Sequence, residues 1–435
     1  MPKSIVYSFG CRASQADGAA IEAGLAARGW GAARSVEDAN LVVLNTCTVT
    51  SSADHDVQQA VRRIHRENPN ARIVVTGCYA QRAPEDIAQM PGVSMVVGNS
   101  HKARLVELVC GEIPYHGQIH VGDIFAEQQF FTAPVEDALG DRTRPNLKIQ
   151  DGCNNRCSFC VIPFVRGRSR SAPAEQVIEQ VRKLGAKYRE VVLSGVNLGR
   201  WGREHGFSPA PARLVDLLRR LLKETEVERL RLSSVEPMDF SDELLELMAL
   251  SPRIAKHVHA PLQSGSDAVL RRMHRKYRPR HYRDRILRAR SLMPDAAIGA
   301  DVMVGFPGES DEEFEESRAF IESLPFTYLH VFTYSERPGT PAAEDARRVP
   351  MPVRKERNRI LRELGARKNL EFRRRMVGRR LSAVTLENGP YGLTDNYLKV
   401  ELAAPRAPNR IVDVLIGSVG EGVVREYSPF PVLAG

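Results

Sequence analysis

The sequence predicts an α/β protein in three parts: a Rossmann-like parallel sheet, a partial (β/α) barrel of TIM type, and a small β-barrel. Three observations predict it. Short β-branched runs alternate with amphipathic stretches over the first hundred residues. From Asn146 a longer alternation gives six strand–helix units, short of the eight of a closed (β/α) barrel. The last sixty residues lose helical periodicity and read as strands divided by turns. The boundaries that follow are 1–115, a linker at 116–144, 145–376 and 377–435.

In the first part, Ile5–Tyr7, Leu41–Leu44, Ile73–Val75 and Met95–Val97 are the strands. Amphipathic stretches near Gln15–Arg28, Ala53–Glu67 and Pro84–Met90 are the helices between them. Cys11, Cys47 and Cys78 each fall a few residues after a strand. Open parallel sheets place ligands at the carboxyl ends of their strands, so these distant thiols would share one edge. Buried cysteines with only a packing role are common. Equivalent placement after three strands favours metal ligation instead. Cys110 lies on an amphipathic stretch and reads as packed. Residues 111–145 read as a connection with one hairpin at most.

The barrel strands are predicted at Leu147–Gln150, Val191–Ser194, Arg229–Ser233, His257–Leu262, Ala297–Val304 and Tyr328–Tyr334, with a long basic helix from Pro352 to Met376 closing the series. The loop after the first strand carries Cys153, Cys157 and Cys160, spaced C-x₃-C-x₂-C. A four-iron cluster takes four thiolates, so three leave one iron open to a substrate. Zinc would need a fourth ligand, and no His or Cys occurs in the next twenty residues. A disulfide cannot use three neighbouring cysteines evenly. Further turns after strands hold Ser194–Asn197, Ser233–Pro237, Pro261–Ser266 and Gly305–Glu309, whose glycines and hydrogen-bonding side chains suit a polar cofactor. In the last part, Leu381–Leu386, Leu398–Leu402 and Ile411–Ile416 are strands, with turns at Asn388–Pro390 and Ala404–Pro405.

The formal charge of +9 favours an anionic partner such as nucleic acid. Ten Lys and Arg residues lie between Arg271 and Arg290, opposed within the run only by Asp284. A second basic run spans Arg354–Arg380, and a third flanks the cysteine loop at Arg142, Arg144, Lys148, Arg156, Arg166, Arg168 and Arg170. Together they read as a phosphate-binding surface. The N-terminus lacks a signal-peptide pattern and no apolar run is of membrane-spanning length, so a cytoplasmic protein with no membrane partner is expected.

The chain resembles the radical S-adenosylmethionine methylthiotransferases over nearly its whole length. The resemblance rests on Cys153–Cys157–Cys160 with Phe159 before the last cysteine, on His259–Asp267, Asp301–Glu309 and Tyr334–Ala343, and on Cys11, Cys47 and Cys78. Asn45–Thr50, with Ala53–Asp54, looks like the branch that acts on threonylcarbamoyladenosine at position 37 in the tRNA anticodon loop. The same chemistry on isopentenyladenosine 37 or on a ribosomal-protein aspartate is the nearer alternative. A redox-sensing iron–sulfur protein that only binds RNA is the non-catalytic one.

The resemblance implies two [4Fe–4S] clusters, one on Cys153, Cys157 and Cys160 and an auxiliary one on Cys11, Cys47 and Cys78. It implies two S-adenosylmethionine molecules per turnover, one cleaved to a radical and one giving its methyl group. Ser234 and Glu236 would contact the cofactor ribose, and Phe159, Gly195 and Gln263 other parts of it. An electron donor of flavodoxin or ferredoxin type and a sulfur source are implied as well. The last domain resembles a TRAM domain, yet from Arg379 onward it carries six basic and six acidic residues, so the barrel is expected to supply most phosphate contacts.

Overall fold

The computed structural model describes residues 1–111, 117–127, 130–131, 143–204 and 213–428. The N-terminal sheet contains β1 (Lys3–Ser8), β2 (Gly31–Ala32), β3 (Leu41–Thr46), β4 (Arg72–Gly77), β5 (Val93–Gly98) and β6 (Gln118–His120). They pair in the order β2-β1-β3-β4-β5-β6, all parallel. Alternate residues of β3 serve two layers, as the period of two in a strand requires. Val42 and Leu44 pack with Val57, Val61 and Ile64 of the helix Ser51–Glu67. Leu41 and Val43 pack with Ile21 and Leu25 of the helix Arg12–Ala27. Burial on both faces explains why these strands read as unbroken apolar runs.

Strands β2 and β6 carry no such signal. β6 lies within the segment read as a linker, at the sheet edge, and exposes Gln118 and Ile119. Residues 116, 128–129 and 132–142 of that segment lie outside the described residues.

The barrel strands are β7 (Asn146–Asp151), β8 (Arg170–Ser171), β9 (Glu190–Gly195), β10 (Arg229–Leu232), β11 (His257–His259), β12 (Ala297–Val304) and β13 (Tyr328–Thr333). They form sheets of order β10-β9-β7-β8 and β11-β12-β13, linked by a parallel bridge from Leu230 to Ile254. Six run parallel, and β8 is a short antiparallel addition at the edge. β11 stops at His259 rather than at Leu262. Pro261 has no N–H to give, and Gln263 turns to a φ of 65°. Helices sheathe the outside. Leu214–Glu224, for example, buries Leu214, Leu217, Leu218 and Leu221 along one stripe. Among the described residues no helix is long and apolar enough to cross a membrane.

The long helix Met351–Arg375 leads to the last domain. There β14 (Arg380–Thr385), β15 (Tyr391–Thr394), β16 (Lys399–Glu401), β17 (Ile411–Val419) and β18 (Val424–Glu426) close in the order β14-β15-β16-β18-β17. This small barrel docks at the amino ends of the larger barrel's strands. Arg229 donates to Ser382 Oγ, Arg231 to the carbonyls of Thr394 and Asp395, and Asn396 to the carbonyl of Asp295. Glu190, wholly buried, accepts from Arg231 at 2.8 Å, Arg144 at 3.3 Å and Arg229 at 3.4 Å. Burial alone would raise its carboxyl, but Arg231, Arg144 and Arg229 outweigh that and hold it at about 2.

Glu190→Gln keeps the volume and strands three arginine side chains around a neutral group. Removing one partner of a buried pair costs about 3 kcal/mol or more. Chemical denaturation of the purified chain is expected to show that loss, and an unchanged midpoint would remove Glu190 as the lock between the two barrels.

Candidate functional site

Two groups of three thiols stand on either side of one short helix, Ile162–Arg166. All are free cysteines. Cys11 caps the helix Arg12–Ala27, Cys47 follows β3, and Cys78 opens the short helix after β4. The parallel register of β1, β3 and β4 brings these positions to one edge. Gly77, with φ of 100°, makes the turn into Cys78 possible, because a Cβ there would lie 2.4 Å from the Thr46 carbonyl. At Gly10, a Cβ would lie 2.8 Å from Cys47 Sγ, so the turn bearing Cys11 lies directly against Cys47. Burial pushes the Cys47 thiol up to about 12, and the nearby Cys78 and Cys11 add to the rise.

The second group follows β7. Burial pushes Cys160 up to about 12, with Cys157 and Cys153 adding to it, and burial raises Cys153 as well. Cys78 packs against Val161, the residue after Cys160, and against Val165. Cys78 thus meets, through apolar contact, the segment that follows Cys160. The sulfurs also receive hydrogen bonds. Arg166 Nε donates to Cys78 at 3.3 Å, Arg275 to Cys157 at 3.3 Å, and the Asn155 N–H to Cys153 at 3.4 Å.

Arg166 belongs to a buried ion network that joins the N-terminal sheet to the barrel. It donates to both carboxyl oxygens of Asp151 and to Asp17 at 3.0 Å. Lys148 reaches Asp17 and Asp151, and Lys102 reaches Asp17 at 3.0 Å. Three cations thus face two carboxylates in a region closed to water. Within these ion pairs the cations exceed the carboxylates by one, and the Arg166 guanidinium also faces Cys78. An anionic group held by the thiols is the complement this arrangement lacks. The donor set, the N–H···S bonds and the residual charge all fit an iron–sulfur cluster at each trio.

The cofactor turns gather at the carboxyl ends of the barrel strands, on the side of the cysteine loop. Gly195 ends β9, where a Cβ would lie 2.9 Å from the Gln150 side chain. Phe159 meets Phe306 edge to face at 6.4 Å. Glu236 pairs with Arg275, the residue that also donates to Cys157. Ser234 Oγ lies 2.6 Å from His259 Nδ1, and Gln263 continues the edge beside Val302. Inside the barrel, Asp301 lies 3.2 Å from His259 Nε2 and 3.1 Å from His330 Nδ1. Burial raises the Asp301 carboxyl, but its hydrogen bonds to the two histidines outweigh this and hold it well below the usual carboxylate range.

Sequence reasoning missed the roles of Arg275, His330 and Asp17. Arg275 was hidden in a basic run, although its neighbours face outward. Much of that run is paired with acids inside the protein, while Lys276, Arg280 and Arg283 have no acid partner among the described residues. Arg271 and Arg278 pair with Asp267, Arg272 with Glu313, and Arg285 and Arg288 with Asp242. Arg290 donates to the carbonyls of Pro294, Ala296 and Pro325. Beside the cysteine loop, Arg144, Lys148 and Arg166 are likewise taken by acids within the protein. Most of the opposing acids are distant in sequence, so a local count does not see them. Among the described residues of that flank, Arg156 and Arg168 remain exposed without an ion pair. Asn45–Thr50 also has a docking role. Thr48 and Asp54 bind Arg82, and Asp54 accepts from Arg337 of the barrel at 2.6 Å.

A partial barrel with a three-cysteine loop at its active end defines a radical S-adenosylmethionine enzyme by architecture. The comparisons agree. Residues 147–321 match the radical SAM superfamily, and residues 3–98 match an uncharacterized family, UPF0004. The chain is 37% identical to the threonylcarbamoyladenosine tRNA methylthiotransferase of Aquifex aeolicus, over 94% of this chain and 98% of that protein. Its identity to the protein of the same description from Bacillus subtilis is also 37%, over 91% and 89% of the two chains. A tRNA-2-methylthio-N(6)-dimethylallyladenosine synthase of Pelotomaculum thermopropionicum is 34% identical, over 87% and 85%. The fold is similar to that of the radical S-adenosylmethionine methyltransferase TsrM from Kitasatospora setae, with a TM-score of 0.54 at 15% identity, covering 79% of this chain and 77% of that one. This chain belongs to the radical S-adenosylmethionine methylthiotransferase family. A [4Fe–4S] cluster and S-adenosylmethionine are the cofactors of that superfamily.

The ion network predicts an acid sensitivity. Burial raises the Asp17 carboxyl, but Lys102, Lys148 and Arg166 outweigh it and hold it at about 2, below its unfolded value. Its stabilising contribution is therefore complete above about pH 4 and lost as the pH falls toward 2. Thermal unfolding across that range is expected to show the loss, and Asp17→Asn should remove this part of the pH dependence while costing about 3 kcal/mol at neutral pH.

Proposed function

We propose that the chain is a tRNA methylthiotransferase that inserts a methylthio group at C2 of N6-threonylcarbamoyladenosine 37 in the anticodon loop. The observation that carries this reading is the pair of cysteine trios separated by the helix Ile162–Arg166, beside a cofactor-binding barrel edge. The threonylcarbamoyladenosine description of several relatives at 34–37% identity supports the substrate. In this reading Cys153, Cys157 and Cys160 hold one [4Fe–4S] cluster, and Cys11, Cys47 and Cys78 hold a second. Bound there, the first would supply the electron for cleavage of one S-adenosylmethionine, and the second would supply the sulfur, with a second S-adenosylmethionine as methyl donor.

The protein's own groups bind and orient. Arg275 ties Cys157 to Glu236, so the cluster loop and the ribose-binding turn share one cation. Ser234 and Glu236 take the ribose hydroxyls, Gly195 and Gln263 approach the rest of the cofactor, and Phe159 packs behind the loop. His330, whose Nδ1 faces Asp301, offers its Nε2 to a base drawn into the barrel. A base in a single-stranded loop is extruded at low cost. An electron donor of flavodoxin or ferredoxin type and a sulfur source complete the cycle. The site acts in the cytoplasm, where its RNA is found.

Anaerobically prepared protein is expected to hold about eight iron and eight sulfide per chain. Replacing Cys11, Cys47 and Cys78 by alanine should halve both and abolish methylthiolation while leaving 5′-deoxyadenosine formation. The same replacement at Cys153, Cys157 and Cys160 should abolish both reactions. Zinc in place of iron would overturn the reading. Nucleoside mass spectrometry of a deletion strain should show threonylcarbamoyladenosine without its methylthio derivative. Loss of the methylthio group from isopentenyladenosine instead would assign the other substrate.

A further inference from the structure

A cleft of about 680 Å³ opens beside the carboxyl end of β13, between residues 50–52 of the N-terminal sheet domain and the helix Met351–Arg375. Met351, Lys355, Asn358 and Arg362 face it at spacings of four, three and four, one stripe of that helix. Phe332 flanks it, 47% exposed, and shares with His330 the inward face of β13. The cleft therefore borders the barrel interior, and Thr50 in its wall lies three residues after Cys47.

Its polar groups are unusual for this helix. Arg357, Arg359 and Arg367 are engaged by Glu309, Glu356 and Glu322, and Arg354 donates to the carbonyls of Val349 and Tyr334. Lys355 and Arg362 are exposed and have no ion pair among the described residues. Glu336, the acid in the lining, faces Arg354 and Arg348 instead. Tyr334, 2% exposed, also lines the cleft, and its hydroxyl has no hydrogen-bond partner among the described residues. A buried hydroxyl without a partner and two free cations in one wall call for a ligand with both an acceptor and a negative charge.

We propose that this cleft receives the N6 substituent of the target adenine, with Lys355 and Arg362 pairing its carboxylate and the Tyr334 hydroxyl donating to its urea carbonyl. The proposal rests on the threonylcarbamoyl reading above and names the residues that make the distinction. A dimethylallyl group would offer neither charge nor acceptor and would leave these groups unmatched, which is how a polar site rejects an apolar analogue. A backbone phosphate of the RNA has the same anionic chemistry, so the test separates the two sources.

The test uses the reconstituted full chain and two anticodon stem-loop RNAs, one with adenosine 37 and one with threonylcarbamoyladenosine 37. The wild-type chain is expected to bind the second more tightly. Lys355→Ala and Arg362→Ala should each weaken binding of that RNA about tenfold or more, as loss of a charge-assisted hydrogen bond does. They should leave binding of the unmodified RNA, and RNA-free 5′-deoxyadenosine formation, unchanged. Tyr334→Phe should show the same selectivity for the modified RNA. Equal loss on both RNAs would mean a phosphate contact and overturn the assignment. A preference that survives all three substitutions would overturn the cleft alone, whereas a wild-type chain with no preference would overturn the substrate reading and this assignment with it.

Discussion

The arrangement of this protein depends on one buried charge imbalance. Asp17 and Lys102 come from the N-terminal sheet domain, while Lys148, Asp151 and Arg166 come from the barrel. Within the barrel alone these three carry one excess positive charge, and in water that excess would be of no consequence. Buried at the junction, it is expensive unless a carboxylate and an anionic sulfur group share it. The interface thus satisfies its electrostatics only when the thiol-bearing edge is presented to Arg166. Structural docking and the chemistry of the site have the same cause.

The two ends of the barrel divide the work. At the carboxyl ends lie the cysteine loop, the turns at Gly195, Ser234–Glu236 and Gln263, and the thiols of the N-terminal edge. At the amino ends Glu190 gathers three arginines, one of which holds the Thr394–Asp395 turn of the small barrel. Tyr397, from the same turn, stacks on His257 at 4.3 Å. The amino ends are thus closed by a charged lock. This division matches the general placement of ligands at strand carboxyl ends.

Much of this was legible in the sequence because two periodicities were strong. β3, β4, β7, β9, β12 and β13 all form where β-branched runs predict them. The short edge strands β2 and β6 escaped because their residues make few apolar contacts and have no alternation to detect. The site divided similarly. Cysteines after strands could be found from topology alone, since parallel register fixes where strand ends go. Arg166, Arg275 and Asp17 could not, because a charged residue looks the same in sequence whether it faces water or closes a buried network. For the same reason the sequence could not show that acids such as Asp242 and Glu313 pair with part of the Arg271–Arg290 run.

The helix Ile162–Arg166 has a consequence for maturation. A ribosome delivers the N-terminal sheet before any of the barrel, and in that interval Asp17 and Lys102 can already neutralise each other. The Cys78 thiol then lacks the guanidinium that donates to it in the finished fold. Arg166 arrives some ninety residues after Cys78, so the Cys78 thiol meets this guanidinium only when barrel synthesis is under way. Chain order alone therefore sets a sequence for assembly: sheet first, and the charged junction after it.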